Sequence, residues 1–164
     1  LNGSAGNLPV DMLFCVPSSL VNSNDSDSFC GPAQDFIDRD LKIWDGTRRS
    51  SRKVPALDND QHRFVHYESC RGLEGWVTVL YRFDELFEEK VRIFSEQEDN
   101  DGGGSRAVHR AVEWLMIPLT RCIDTLVIHV EDPNSEIAVV LKELAGDHKD
   151  FVERRNDDQA PASG

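Results

Sequence analysis

The 164-residue sequence contains no run of about 18 apolar residues, so no helix is expected to span a membrane. Its first residues, LNGSAGNLPV, offer neither a basic nor an apolar segment of the kind a secretory signal needs, and no initiator Met. The chain therefore reads as an internal or C-terminal piece of a longer protein. No C-x-x-C pair is present, and Cys15, Cys30, Cys70 and Cys122 stand far apart. That spacing argues against a cysteine zinc site and against a disulfide scaffold, and leaves four free thiols in a reducing, cytoplasmic compartment. G-x-x-x-x-G-K-[ST] and G-x-G-x-x-G are both absent, so the chain cannot cradle and hydrolyse a nucleoside triphosphate by itself. G-x-S-x-G and H-E-x-x-H are absent too, which removes two hydrolase classes. Basic charge is short, with 18 Lys and Arg against 30 Asp and Glu and a net charge of −12, which excludes a protein that coats nucleic acid with a uniformly basic surface.

The length suits one domain with an ample core. The charge is uneven, and a local polyanion site remains open. Residues 47–72 hold six cations (Arg48, Arg49, Arg52, Lys53, Arg63, Arg71) against Asp58, Asp60 and Glu68, whereas 84–103 hold eight acids against Lys90 and Arg92. The basic stretch beginning at Arg48 either touches phosphates or is a solvated loop. His62 and His66 lie four apart and share a face if their segment is a strand; with no third ligand apparent they read as ordinary histidines rather than a metal site.

Hydrophobic patterning orders the elements. Residues 1–9 read as a ragged end and 154–164 as a polar tail, flanking a domain over 10–153. Val10–Val16 has the length of a buried strand. Pro32 suits the first turn of a helix over 33–41, and Leu41–Trp44 reads as a short strand closed by Asp45-Gly46. Residues 63–67 and 76–81 are strands, the second apolar on both faces as an interior parallel strand is. Phe83, Leu86, Phe87 and Val91 mark one face of a helix over 83–94. Residues 95–105 read as a flexible connector. The helix at 105–119 carries a continuous stripe that includes Ala107, Ala111, Val112, Leu115 and Met116, and 124–130 reads as a buried strand. Asn134 is expected to cap a last helix with Ile137, Val140, Leu141 and Leu144 inward, stopped by Gly146. Strands alternating with helices predict an α/β fold, a mostly parallel sheet covered on both faces. Trp76 and Trp114 read as core.

Two segments do not look like ordinary core. His66-Tyr-Glu-Ser-Cys-Arg-Gly-Leu-Glu-Gly-Trp76 places an Arg, an acid and two Gly between strands, where glycine allows positive φ or close backbone approach. Leu115-Met-Ile-Pro-Leu-Thr-Arg-Cys122 runs an apolar helix into Thr120-Arg121 just before a strand, where a guanidinium needs an anion or a carboxylate.

These segments, in this order and each followed by an apolar strand, resemble motif V and motif VI of the UvrD/Rep-like superfamily 1 DNA helicases; the resemblance covers about residues 10–130. The family's Thr and His in motif V are His66 and Glu68 here, and Pro118 replaces a small residue in motif VI. The resemblance implies a three-layer, RecA-like (P-loop NTPase-like) second motor domain. It assigns Arg121 as an arginine finger on the γ-phosphate, Glu74 to the ribose, Arg71 and Gly72 to the cleft wall, and Thr120 to positioning Arg121. It assigns His66, Glu68 and Ser69 to the border of the DNA strand, with Arg48 and Arg49 as further candidates. ATP and Mg²⁺ are expected mainly on an N-terminal RecA-like partner domain, with single-stranded or partly duplex DNA as the other partner. Glu74 and Arg121 are expected to converge on one edge of the sheet, at the strand C-termini. The rival readings are a degenerate RecA-like regulatory or interaction module without turnover, a small-anion binding domain, and arginines that merely form structural ion pairs with Glu68, Glu74 or Asp124.

Overall fold

Met12-Leu-Phe-Cys-Val16 is β1, and Leu13 through Val16 are buried on both sides, as a strand inside a covered parallel sheet must be. The computed structural model describes residues 8–21, 25, 27–51, 58–97 and 104–155. After β1 come α1 (Gly31–Asp38), β2 (Ile43–Asp45), β3 (His62–His66), β4 (Gly75–Leu80), α2 (Phe83–Gln97), α3 (Gly104–Leu119), β5 (Cys122–Ile128) and α4 (Glu136–Asp147). The five strands form one all-parallel sheet in the order β2-β3-β1-β4-β5.

α1 opens with Pro32 in its first turn and ends at Asp38, three residues short of the expected end, because Asp40 takes a left-handed φ of 59°. From β1 the chain passes through α1 to one edge of the sheet; from β4 it passes through α2 and α3 to the other. Right-handed crossovers in opposite directions lie on opposite faces, which gives the α/β three-layer, RecA-like arrangement. One face is aromatic. Phe14 stacks on Phe64 at 4.7 Å between centroids, and Phe36 of α1 meets both edge-on at 5.1 and 5.2 Å. On the other face Phe83, Leu86 and Phe87 of α2 and Ala107, Ala111 and Leu115 of α3 are buried.

The chain divides into two compact units, residues 1–131 and 132–164, where the sequence suggested one domain over 10–153. The first carries the whole sheet. In the second, α4 is capped by Ser135, whose Oγ accepts the amide of Ala138 at 3.3 Å; Asn134 is not the cap. Gly146 lies inside α4, and Val140 and Leu144, expected inward, are exposed.

β5 also departs from expectation. It is an edge strand, and Ile123 to Val127 are exposed although the sequence reads as a buried run. Val112 and Met116 of α3 are exposed as well, so one side of that helix's apolar stripe is uncovered. Trp76 is exposed rather than core. The basic loop's Arg52 and Lys53, and most of the acidic connector, lie outside the described residues. No helix among the described residues is long and apolar enough to cross a membrane.

Candidate functional site

The link between β3 and β4 builds the site. The two strands flank β1, with Val16 opposite His66 and Met12 opposite Val77. At about 3.3 Å per residue, His66 and Gly75 stand some 20 Å apart along the sheet, with two strand spacings of about 4.8 Å between them. Residues 67–74 must span this distance of about 22 Å, whereas an α-helix of that length reaches only about 12 Å. The crossover is therefore not helical along its length: a 3-10 turn at Tyr67–Ser69 is followed by a turn in which the Leu73 amide donates to the Cys70 carbonyl at 3.1 Å, and then by extended chain. Parallel strands are more often joined by a dozen residues or more.

Each glycine of Arg71-Gly-Leu-Glu-Gly75 has its own reason. Gly72 takes φ +79° with open space around it. Gly75 is fixed by contact: a Cβ there would lie 2.8 Å from the Val77 carbonyl oxygen, 2.9 Å from Leu13 Cβ and 3.1 Å from the Asp11 carbonyl oxygen. The crossover passes over Cys15 of β1 and buries Cys70 against it. It is held to the helical layer by Glu68, whose carboxylate pairs with Lys90 of α2 at 2.7 Å, and by Trp114 of α3, whose ring lies under both Lys90 (4.4 Å) and Arg71 (5.3 Å). Partial burial works against the Glu68 carboxylate, yet the Lys90 and backbone hydrogen bonds outweigh it and hold its pKa below the usual range. The end of the crossover is tied down by Arg63 of β3, whose Nη2 donates to the Glu74 carbonyl at 2.7 Å and whose Nε is buried without a partner.

Glu74 and Arg121 come together at the starts of neighbouring strands. Gly75 N donates to the Arg121 carbonyl at 3.0 Å, and Thr78 Oγ1 donates to the same oxygen at 3.2 Å. This corrects one expectation: the two residues lie at the N-terminal ends of β4 and β5, not at the strand C-termini. The extended crossover carries the chain the length of the sheet before Glu74 is reached, and no residue spacing announces that. Glu74 is exposed, and Arg121 is half-buried at the rim. Arg121 Nε donates to the Ile117 carbonyl at 3.0 Å and Nη2 to Thr120 Oγ1 at 3.0 Å. Thr120 Oγ1 in turn closes α3 against Met116 and Ile117, and α3 runs one residue past Pro118 before it ends. Neither Arg71 nor Arg121 pairs with a carboxylate among the described residues.

The other candidates lie elsewhere. His66 is at the C-terminal end of β3, about 20 Å from Glu74 by the register above, and Ser69 closes the 3-10 turn that follows it. Arg48 follows β2, its guanidinium 4.1 Å over the Phe29 ring, and Arg49 beside it is exposed. Two cavities lie away from the Glu74–Arg121 rim: one of about 360 Å³ between Pro17–Ser19 and Glu85/Glu89, the other of about 310 Å³ bounded by Phe29, Trp44, Arg48 and Gln61. The described residues hold no cluster of three or more His, Cys, Asp or Glu suited to a metal.

Sequence reasoning passed over Arg63 and Lys90. Both carried a signal. Lys90 continues the stripe of Phe83, Leu86 and Phe87 by helical spacing, and Arg63 directly precedes the apolar pair Phe64-Val65 in its strand. Comparison with family models, with curated proteins and with solved structures finds no match to this chain.

Proposed function

We propose that this chain is the second RecA-like half of a cytoplasmic ATP-dependent DNA helicase of the UvrD/Rep-like type. In this reading ATP and Mg²⁺ sit mainly on an N-terminal RecA-like half that supplies the phosphate loop, and hydrolysis drives translocation on DNA. One observation carries the reading. Two segments some 47 residues apart deliver a carboxylate and a guanidinium to the starts of adjacent parallel strands, on a rim with no cradle of its own. Arg121 would meet the γ-phosphate and Thr120 would orient it. Glu74 would face the ribose, with Arg71 and Gly72 forming the wall. His66, Ser69, Arg48 and Arg49, at the opposite ends of their strands, would border the nucleic acid.

The test uses the polypeptide that carries both halves. Arg121→Ala is expected to lower DNA-stimulated hydrolysis on the order of 10³-fold or more while ATP binding persists. Unchanged hydrolysis would refute the assignment, and circular dichroism separates either result from misfolding. A degenerate module without turnover is favoured by one feature: Arg121 already engages Ile117 and Thr120 through two of its three nitrogens. Nucleotide binding with no DNA-stimulated turnover in the unaltered protein would select that reading.

A further inference from the structure

Beside the edge strand β2 lies the cavity of about 310 Å³ that Phe29, Trp44, Arg48, Ser50, Ser51 and Gln61 line. Asp45, the last residue of β2, organises it. Its buried carboxylate accepts the Cys30 amide at 3.0 Å and the Thr47 amide and hydroxyl at 2.9 and 2.6 Å. Cys30 follows Phe29 and Thr47 precedes Arg48, so one carboxylate sets both lining residues, and the Arg48 guanidinium lies 4.1 Å over the Phe29 ring. Trp44 is held as closely. Gly46 donates to the Phe64 carbonyl at 2.8 Å, and a Cβ on Gly46 would stand 2.5 Å from Trp44 Cη2 and 2.7 Å from Cζ3. The Ser50 amide ties the segment after Arg48 to Asp27 Oδ1 at 3.2 Å. Two polar atoms of this lining are left over: Arg48 Nε and Gln61 Oε1 are buried with no hydrogen-bond partner among the described residues. Buried polar atoms without a partner are rare, because each forfeits its bond to water. We propose that the cavity is a nucleobase site, in which a base stacks on the aromatic lining and its edge pairs with Arg48 Nε and Gln61 Oε1.

The lining selects the ligand class. Indole, phenyl and guanidinium planes favour a flat, polarisable ring over an aliphatic chain. One unpaired donor and one unpaired acceptor call for a ring edge that carries both kinds of group, as every nucleobase does. The volume lies near the lower end of the range for ligand pockets, about 300–1,000 Å³, and suits one base. Arg48 and Gln61 are half-buried, so rotation of their side chains brings the two closed atoms to a bound ring. Arg49, exposed next to them in sequence, supplies positive charge for the phosphate, while the Asp45 carboxylate is taken up by its three donors. A free mononucleotide and an unstacked base of a single strand present the same ring. The strand as source rests on the reading that Arg48 and Arg49 border nucleic acid; the mononucleotide as source does not.

The experiment titrates the native chain with a thymidine decamer, an abasic decamer and thymidine monophosphate. It reads tryptophan fluorescence and, for fluorescein-labelled decamers, anisotropy. Quenching by a base-bearing probe and none by the abasic decamer is expected. Quenching by the monophosphate assigns a free nucleotide as the source, and quenching by the decamer alone assigns a strand. Trp44→Phe keeps an aromatic face, so it should abolish the quenching while the thymidine decamer still binds. Arg48→Lys keeps the charge but loses the planar fork; it should weaken the base-bearing probe about tenfold and leave the abasic decamer unchanged. The proposal is overturned if both decamers bind equally, if binding leaves the fluorescence unchanged, if quenching survives Trp44→Phe, or if no base-bearing probe binds. The comparison of probes needs no variant, and circular dichroism checks that the variants fold. Equal binding of both decamers removes the base site yet leaves Arg48 and Arg49 on phosphates. No arm involves hydrolysis, so the Arg121 assignment stands or falls separately.

Discussion

Gly72 and Gly75 lie three residues apart, yet they should respond to substitution in opposite ways. At Gly72 (φ +79°) a Cβ meets nothing within 4 Å, so Gly72→Ala carries only the left-handed backbone penalty, about 1–2 kcal/mol. Asn tolerates that region, so Gly72→Asn should recover part of the loss. At Gly75 φ is not left-handed, and the obstacle is three atoms at 2.8–3.1 Å, two of them backbone oxygens that cannot turn aside. Gly75→Ala should cost about 1–3 kcal/mol as an overpacked site, and Gly75→Asn more. For a chain of this size each kcal/mol lowers the melting temperature by about 2–4 °C. Tryptophan fluorescence suits the measurement, because Trp44, Trp76 and Trp114 all belong to the unit that contains the sheet. Rescue of Gly75→Ala by Asn, or a Gly72→Asn variant no more stable than Gly72→Ala, would refute the division into a conformational and a steric glycine.

The Lys90–Glu68 pair should be asymmetric. Lys90→Met keeps an apolar stem against Trp114 and leaves a carboxylate that is 45 % exposed, costing under about 1 kcal/mol, whereas Glu68→Gln strands an ammonium that is 8 % exposed and should cost about 1–3 kcal/mol in urea denaturation. Because the folded state depresses the Glu68 pKa from 4.5, the pair's contribution is complete above that pH and is lost as pH falls through the folded value; Glu68→Gln should remove this component from the acid limb of stability. Phe64→Ala empties the centre of the aromatic face and should cost about 3–5 kcal/mol, read as a lower urea midpoint at unchanged slope.

The helices and strands were legible because each has an apolar period of its own. Phe83, Leu86 and Phe87 mark the buried side of α2, and β1 and β4 read as interior strands because they are apolar on both faces. What the sequence hid was neighbourhood. Ile123 to Val127 look like a core strand, but their exposure depends on what covers the two faces of the sheet at its edge, and all five are exposed. Trp76 leads a buried strand yet faces outward, and Ser135 rather than Asn134 caps α4, a shift of one residue that composition cannot resolve. At the candidate site the residue types Arg71, Gly72, Glu74 and Arg121 stood out, while the end of the sheet they occupy did not. That placement follows from the crossover's extension, which is a property of register. The roles of Arg63 and Lys90 were legible in principle, as charges at apolar positions.

The central place of β1 carries a consequence for synthesis. It is made first, but its two neighbours are residues 62–66 and 75–80. A ribosome adding about 5–20 residues per second leaves Leu-Phe-Cys-Val without a companion strand for roughly 2–10 s after Val16 is joined. Through that interval the nascent chain presents a bare apolar segment to whatever chaperone attends the exit tunnel.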